Sequence, residues 1–235
     1  MNIFWFIFSM HSYEVEIKVL LGDEASKDLF MKKVQESFPE LTHSYTESQN
    51  NHYFQWGDLT ALLLVFDSLI SKIEREKLEN IEQSAKSFSV RTRGTSTQTI
   101  IVVKATVNDE TSSNGTARIE WEVDLAPMTL DEMDALVLSA GFEYQAKWSR
   151  ARDGFQLNTD TVLCLDRNAG YGYLAEFERV IDDTNLVDST RSDLLEIINS
   201  LGYTELDQAR LARMFDFYNQ NWPDYYGTDK VFTIQ

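Results

Sequence analysis

Glutamates spaced two residues apart occur in three segments of this sequence. The pairs are Glu14 and Glu16, Glu120 and Glu122, and Glu176 and Glu178. Residues two positions apart point to the same face of a β-strand, so each pair would present two neighbouring carboxylates. Carboxylate oxygens are donors that Mg²⁺ and Mn²⁺ prefer, with water and substrate phosphate completing the shell. If the first and last pairs met in one sheet, they would form a site for such an ion.

Basic residues share strand faces in the same way. They are Lys18, Arg91, Arg93, Arg118, Arg150 and Arg152. Lys104 lies within the apolar run IIVVKATV, where a charge needs a partner or a water-filled cavity. One such strand alone is most often a solvated sheet face with cross-strand ion pairs. The recurrence of this pattern in strand after strand instead indicates one shared, charged interior.

Alternating hydrophobicity predicts about eight strands that could position these residues. They cover residues 13–20, 42–56, 88–93, 99–107, 117–125, 142–155, 161–166 and 173–181. Helical periodicity is found at residues 23–37, 59–86, 129–140, 189–201 and 205–218. In an eight-stranded barrel alternate residues point inward, and the interior can hold one small ligand. We therefore predict an α+β fold, a closed eight-stranded antiparallel β-barrel with helices packed on the outside.

Segment boundaries follow from these patterns. Residues 12–183 would form the barrel with a helical insert at about 59–86, and residues 184–235 would pack on the barrel or plug it. Residues 1–11 form an extension of uncertain role, whose apolar run is too short to span a bilayer and lacks the features of a signal peptide.

A charged interior of this kind requires a polar ligand. Seven enclosed cations repel one another unless an anion compensates them, and a triphosphate does so through charge-assisted bonds to arginine and lysine. The six carboxylates would repel that same anion, so they are better explained as metal ligands. The sequence thus favours a small-molecule triphosphate bound together with a divalent metal.

The order of these motifs resembles the CYTH superfamily of triphosphate tunnel metalloenzymes. The matching segments are EVEIK at 14–18, RTR at 91–93, Lys104, RIEWE at 118–122, RARDGF at 150–155 and LAEFE ending at Glu178. The resemblance implies a tunnel with substrate-binding Lys18, Arg91, Arg93, Lys104, Arg118, Arg150 and Arg152. It also implies Mg²⁺ or Mn²⁺ held by Glu14, Glu16, Glu176 and Glu178. Lys147 is an alternative to Arg150 as the first substrate-binding residue of this basic pair.

The resemblance further implies catalytic roles for four residues. Lys18 and Tyr53 would assist the attacking water, while Glu120 and Glu122 would bind a second metal ion or orient that water. Tyr53 fits a buried strand aromatic equally well. Family members hydrolyse inorganic, nucleoside or thiamine triphosphate, or cyclise ATP, so we expect a triphosphatase, with an adenylate cyclase as the alternative. A non-catalytic triphosphate sensor and a purely structural barrel with internal ion pairs are further alternatives.

Composition limits the partners. The formal net charge of -17 disfavours binding to nucleic acid, which needs displayed lysines and arginines. A single cysteine, Cys164, excludes an internal disulfide and favours a reducing, cytoplasmic location. We expect no membrane partner, and the sequence leaves open whether the chain forms a homodimer.

Overall fold

The computed structural model describes residues 13–106 and 118–234, which form an α+β fold with eight strands and six α-helices. The strands are β1 (Tyr13–Gly22), β2 (Thr42–Gln55), β3 (Ser87–Gly94), β4 (Thr99–Thr106), β5 (Arg118–Asp124), β6 (Glu143–Gln156), β7 (Val162–Asn168) and β8 (Gly172–Ile181). The helices are α1 (Glu24–Ser37), α2 (Leu59–Phe66), α3 (Lys72–Ser84), α4 (Leu130–Ser139), α5 (Val187–Ser200) and α6 (Gln208–Asn221). Among the described residues, no helix has the length and hydrophobicity that crossing a membrane requires.

The strands form one ring of antiparallel neighbours in the order β1-β5-β4-β3-β2-β6-β7-β8. The ring closes because β1 pairs with both β8 and β5. Glu16 lies opposite Glu178 in the first pairing, and Glu14 lies opposite Arg118 in the second. The predicted set of eight antiparallel strands is confirmed, and the first and last Glu-x-Glu pairs are direct neighbours in the sheet.

Apolar residues that alternate with the charged ones face outward, where helices cover them. Val15, Ile17 and Val19 of β1 are buried in one cluster with residues of α1 and α5. A second cluster buries the outward face of β3, β4 and β5 under α2, α3 and α4. Each such Val or Ile stabilises the fold by about 1.5–3 kcal/mol when fully buried. Helix packing on the outside therefore leaves the interior of the ring free to be polar.

The predicted insert at 59–86 is two helices rather than one continuous helix. Helix α2 ends at Phe66, and Ser71 starts a new helix by accepting a hydrogen bond from the backbone N–H of Glu74 at 3.2 Å. Serine at such a position satisfies one of the unpaired N–H groups of a helix start, so it favours an interruption there. The turn predicted at residues 108–116 and the extension at 1–11 lie outside the described residues.

The chain after α5 covers one end of the ring. The backbone N–H of Leu206 donates a hydrogen bond to the carbonyl oxygen of Lys18 at 2.7 Å. Further along, Met214 and Tyr218 of α6 are buried against Trp148 and Tyr171 of the sheet. The Tyr218 ring stacks on the Trp148 ring with centroids 3.5 Å apart. These contacts hold the C-terminal segment against the strands that carry the charged residues.

A buried polar network lies on the outer face of β2 and β3. Asp134 of α4 is 1% exposed and accepts hydrogen bonds from His52 at 2.6 Å, Thr92 at 2.5 Å and Tyr144 at 2.6 Å. The second ring nitrogen of His52 is 2.9 Å from the hydroxyl of Tyr226. Burial alone would raise the pKa of Asp134, but these three hydrogen bonds outweigh it and lower the pKa below its ordinary value. The network therefore joins α4, the three strands β2, β3 and β6, and the C-terminal segment.

Asp134→Asn is expected to destabilise the protein by about 2–4 kcal/mol at pH 7, because the amide leaves buried donors without their acceptor. A group with a lowered folded pKa stabilises the protein above its unfolded pKa, about 3.9 for aspartate, and loses that contribution as the pH falls towards the folded value. The difference between wild type and variant should shrink below about pH 4. Urea unfolding at pH 7 and pH 3 measures it, with the exposed Asp131→Asn on the same helix as control. Equal differences at both pH values would contradict this role.

Candidate functional site

A cavity of about 980 Å³ lies within the ring and is lined by charged side chains from most of its strands. The predicted site residues that line it are Glu14, Glu16, Lys18, Tyr53, Arg91, Arg93, Lys104, Glu120, Glu122, Arg150, Arg152, Glu176 and Glu178. Arg118 begins β5, but its side chain lies outside the described residues. The two-residue alternation thus brings thirteen of the fourteen predicted residues to one cavity, as expected if each strand turns its charged face inward.

Three of the glutamates form a compact cluster. Carboxylate oxygens of Glu14, Glu16 and Glu178 lie within 4.8 Å of one another. Burial raises the pKa of Glu178 well above its ordinary value, and the charge of Glu14 raises it further. Three carboxylates this close repel one another, and a divalent cation would remove that repulsion. An all-oxygen donor set of this kind fits Mg²⁺ or Mn²⁺ in type.

Glu176 lies outside this cluster, although the sequence grouped it with the other three as a metal ligand. Its carboxylate is 3.3 Å from the ammonium of Lys18 and forms an ion pair with Arg152. Burial alone would raise the pKa of Glu176, but the charges of Lys18 and Arg152 lower it below its ordinary value. Glu176 is therefore placed to hold two cations in position, and Lys18 also contacts Glu16 at 2.7 Å.

Glu120 and Glu122 pair with the cations of β3 and β4. Lys104 bridges Glu120 at 3.0 Å and Glu14 at 2.7 Å. Arg91 is 3.4 Å from Glu120, and Arg93 is 3.2 Å from Glu122. The two glutamates, predicted to bind a second metal ion or orient water, are thus engaged by cations in the structure.

Arg93 is less fully compensated by carboxylates than its neighbour Arg91, whose pKa is raised. Burial lowers its pKa to about 10, and repulsion from Arg91 adds to the decrease against the opposing attraction of Glu122. A guanidinium group normally has a pKa above 12. An anion bound beside Arg91 and Arg93 would relieve this repulsion.

Asp166 is a site residue that the sequence analysis did not select. It is fully buried, with 0% exposure, and its carboxylate accepts hydrogen bonds from Arg150 at 2.7 Å and from Arg152 at 2.6 Å. In the segment LCLDRN it shares a face with Cys164 and Asn168, so strand alternation could have identified it. Its carboxylate orients two arginines towards the cavity that they line.

Asp166→Asn is expected to destabilise the protein by about 3–5 kcal/mol, since it leaves two enclosed guanidinium groups without their shared carboxylate. Chemical unfolding measures this loss. Asp229→Asn is the matched control because Asp229 also pairs with an arginine, Arg167 at 2.9 Å, but on the surface. Surface pairs contribute about 0–1 kcal/mol. Equal effects of the two substitutions would contradict a supporting role for Asp166.

Tyr53 faces the cavity and contacts a predicted phosphate-binding residue. Its hydroxyl accepts a hydrogen bond from Arg91 at 2.9 Å. Burial would raise the pKa of Tyr53, but the positive charges of Arg91 and Arg150 outweigh it and lower the pKa below its ordinary value. The phenolate form of Tyr53 is therefore reached at a lower pH than that of an ordinary tyrosine.

Neutral polar residues complete the basic part of the site. Gln49 accepts a hydrogen bond from Arg150 at 2.6 Å, and Asn51 accepts one from Arg93 at 3.3 Å. Both are on β2, two residues apart, and were missed because amides on a strand carry no distinctive charge pattern. Lys147, the competing assignment, packs against the Tyr144 ring at 4.3 Å and is not among the residues that line the cavity.

Comparison with known proteins gives one family and a set of similar folds. The family of the CYTH domain matches residues 12–212. No curated protein sequence is significantly similar to this chain. The PH1819 protein from Pyrococcus horikoshii OT3 is 20% identical over 83% of this chain and 93% of that chain, with a TM-score of 0.58.

Two further structures carry names that refer to nucleotide chemistry. A candidate adenylate cyclase from Vibrio parahaemolyticus is 15% identical over 83% of this chain and 94% of that chain, with a TM-score of 0.56. HpAC1 from Hippeastrum, a candidate adenylyl cyclase with a dominant triphosphatase activity, is 16% identical over 87% of this chain and 96% of that chain, with a TM-score of 0.52. At these identities the likeness establishes a common fold.

Proposed function

The chain belongs to the CYTH domain family, and we propose that it is a divalent-metal-dependent triphosphatase that hydrolyses an inorganic or organic triphosphate inside its charged ring. The main support for this proposal is the set of charged side chains that line the cavity within the ring. Six lysines and arginines line it together with a cluster of three carboxylates whose oxygens can serve as ligands of a cation. Pure anion binding would use the cations alone, whereas phosphoryl transfer uses both.

The cations bind the phosphate chain in this proposal. Arg91, Arg93, Lys104, Arg150 and Arg152 donate to phosphate oxygens, with Arg118 in support. Charge-assisted bonds from guanidinium groups to phosphate are short and directional, so they fix the orientation of the chain. Their carboxylate partners Glu120, Glu122, Glu176 and Asp166 hold them in place before the substrate arrives.

The carboxylate cluster forms the metal site. Glu14, Glu16 and Glu178 would hold Mg²⁺ or Mn²⁺, while Glu176 contributes by positioning Lys18 and Arg152. A divalent ion held by these residues would supply positive charge to the phosphate chain and act as a Lewis acid towards a phosphoryl oxygen. The three glutamates thus supply a binding place for the ion at the edge of the cation group, where Lys104 contacts Glu14.

Lys18 and Tyr53 are the residues we assign to the attacking water. The charges of Glu16 and Glu176 more than offset the effect of burial and raise the pKa of Lys18, so its ammonium stays protonated and can donate to a phosphate oxygen or orient the water. Tyr53, with its lowered pKa, can accept a hydrogen bond from that water. Positioning of this kind is the main contribution that protein groups make to phosphoryl transfer.

Cyclisation of ATP is the second candidate reaction. The same cations and metal site would bind ATP, and attack by the 3′-hydroxyl of the ribose on the α-phosphate would give cyclic AMP. Cyclisation is supported by the names of two similar structures, which refer to adenylate cyclases. Hydrolysis is supported by the dominant triphosphatase activity of the Hippeastrum protein.

Identifying the products from ATP distinguishes these reactions. Purified protein is incubated with ATP and Mg²⁺ or Mn²⁺, and phosphate, diphosphate and cyclic AMP are quantified beside a Glu14→Gln control. We expect phosphate release that is lost in the control. Cyclic AMP as the main product would assign the cyclase reaction instead. Binding of ATP without either product would leave a non-catalytic sensor, and the absence of both binding and turnover would indicate a structural ring.

A further inference from the structure

The cavity has an aromatic rim beside its charged interior. Trp56 and Phe88 both line it, and their side chains are 79% and 39% exposed. The pairing of β2 with β3 ends with Phe54 opposite Val90. Trp56 lies two residues after Phe54 and Phe88 lies two residues before Val90, so both residues lie near this end of the two strands. Large aromatic faces exposed together at a cavity mouth are characteristic of ligand-binding surfaces.

The backbone holds Trp56 in an unusual conformation. Its φ angle is 67°, and it is the only non-glycine residue with a positive φ among the described residues. Bulky side chains rarely adopt this region, and such strain persists where the surrounding structure imposes it, often at functional sites. The conformation presents the indole ring to the cavity mouth.

The two residues that follow Trp56 fix the course of the chain after it. A Cβ atom on Gly57 would lie 2.2 Å from the ring of Phe142, so only glycine permits the chain to pass so close to that ring. Asp58 then starts α2 by accepting a hydrogen bond from the N–H of Ala61 at 2.8 Å. Trp56 is therefore held on a rigid connection between β2 and α2, as a stacking surface needs to be.

The size and lining of the cavity exceed what a phosphate chain alone can use. Its volume of about 980 Å³ is at the upper end of pockets that bind drug-sized organic molecules. Leu211 and Phe215 of α6 line it in addition to the aromatic rim. An inorganic triphosphate has no apolar surface to place against these residues, whereas an organic triphosphate has one.

We propose that Trp56 stacks on a planar aromatic group carried by an organic triphosphate, and that Phe88, which lines the same cavity, contributes to this subsite. This inference rests on the proposed function, because it assumes that the triphosphate chain occupies the charged interior. It assigns the physiological substrate to the aromatic organic triphosphates, such as nucleoside triphosphates, rather than to inorganic triphosphate. Stacking on Trp56 can strengthen the binding only of substrates that carry a ring. Removing the indole should therefore weaken the binding of organic triphosphates and leave that of inorganic triphosphate unchanged.

Steady-state kinetics with tripolyphosphate, ATP, GTP, CTP, UTP and thiamine triphosphate tests this. Stacking of one base on an aromatic side chain changes affinity by about 5- to 150-fold. Trp56→Ala should therefore raise KM about tenfold or more for at least one organic triphosphate and leave kcat/KM for tripolyphosphate within about twofold. Trp56→Phe should restore much of the loss because it retains a ring.

Leu64→Ala is the control for removing an exposed apolar side chain, since Leu64 is 74% exposed and does not line the cavity. Leu64→Ala should leave KM and kcat/KM unchanged for both tripolyphosphate and the organic triphosphates. Equal losses for tripolyphosphate and organic triphosphates in Trp56→Ala, or no loss for any of them, would overturn the subsite. If wild type hydrolyses nothing, the proposed function fails, and calorimetric titration of wild type and Trp56→Ala with ATP and tripolyphosphate still decides the subsite. Selective weakening of ATP binding would support it, and equal or absent binding of the two ligands would reject it.

Discussion

Glu178→Gln is expected to reduce kcat/KM for tripolyphosphate in the presence of Mg²⁺ by about 10³-fold, which corresponds to the several kcal/mol of charge stabilisation that a divalent ion supplies. Glu178 is the member of the three-carboxylate cluster that β8 contributes, and it lies opposite Glu16 of β1. The amide conserves the shape of the side chain but removes a charged oxygen ligand. The fold should remain intact, because three carboxylates within 4.8 Å repel one another and the substitution relieves that repulsion.

Thermal unfolding of the Glu178→Gln variant without metal provides the check on folding and should give a midpoint at or above that of wild type. Glu143→Gln is the matched control, since Glu143 is exposed, begins a strand of the same sheet and does not line the cavity. It should leave kcat/KM unchanged. Full activity of a folded Glu178→Gln variant would show that the carboxylate cluster has no part in the reaction.

Arg91→Ala is expected to lower kcat/KM for tripolyphosphate by about 10²- to 10³-fold, the effect of removing one preorganised donor from a developing negative charge. Arg91 also donates to the hydroxyl of Tyr53 at 2.9 Å, so the substitution removes the group that most lowers the pKa of that tyrosine. Glu120 keeps a partner in Lys104 at 3.0 Å, which limits the loss of stability. Steady-state kinetics at constant ionic strength measures the effect.

Arg91→Lys should recover only part of the Arg91→Ala loss, because an ammonium group keeps the charge but cannot form the paired hydrogen bonds of a guanidinium. Arg75→Ala is the control. Arg75 pairs with Asp67 on the outside of the ring and should not affect turnover. A lysine variant as active as wild type would mean that Arg91 acts by charge alone, and an active alanine variant would exclude it from substrate binding.

Strand alternation was sufficient to predict most of the site. In β1 the segment EVEIK places Glu14, Glu16 and Lys18 on one face and Val15 and Ile17 on the other, and the structure follows this division. The physical reason is that side chains alternate strictly along a strand, so a one-residue error in orientation would bury every charge under the helices. The family assignment, residues 12–212, agrees with the resemblance inferred from the same motifs.

The sequence does not show which glutamates pair with cations and which form the carboxylate cluster. Glu176 and Glu178 lie on the same face and both contact Arg152, yet Glu176 also pairs with Lys18 whereas Glu178 joins the carboxylate cluster. That difference depends on how far long cationic side chains reach across the ring, which no local pattern records. Alternation along β7 marks Asp166 as a charge on one face, but its pairing with Arg150 and Arg152 of the neighbouring strand is not visible in the sequence.

Non-local packing also explains the features of the rim. Nothing in the residues around Trp56 predicts its positive φ, which accompanies the contact between Gly57 and the distant Phe142. The break between α2 and α3 was more accessible, since Ser71 with Glu74 three residues later is a recognisable helix start. The continuous helical periodicity over residues 59–86 does not show this break, which the structure places between Phe66 and Lys72.

Phosphate release from tripolyphosphate, measured while divalent metal is added and then removed with a chelator, tests the proposed activity most directly. Wild-type protein should release phosphate only when Mg²⁺ or Mn²⁺ is present, stop when the ion is chelated and resume when it is restored. The Glu178→Gln variant should show little release at any metal concentration. Metal-independent release by wild type, or no release from either tripolyphosphate or ATP by folded protein with either ion, would contradict a metal-dependent triphosphatase.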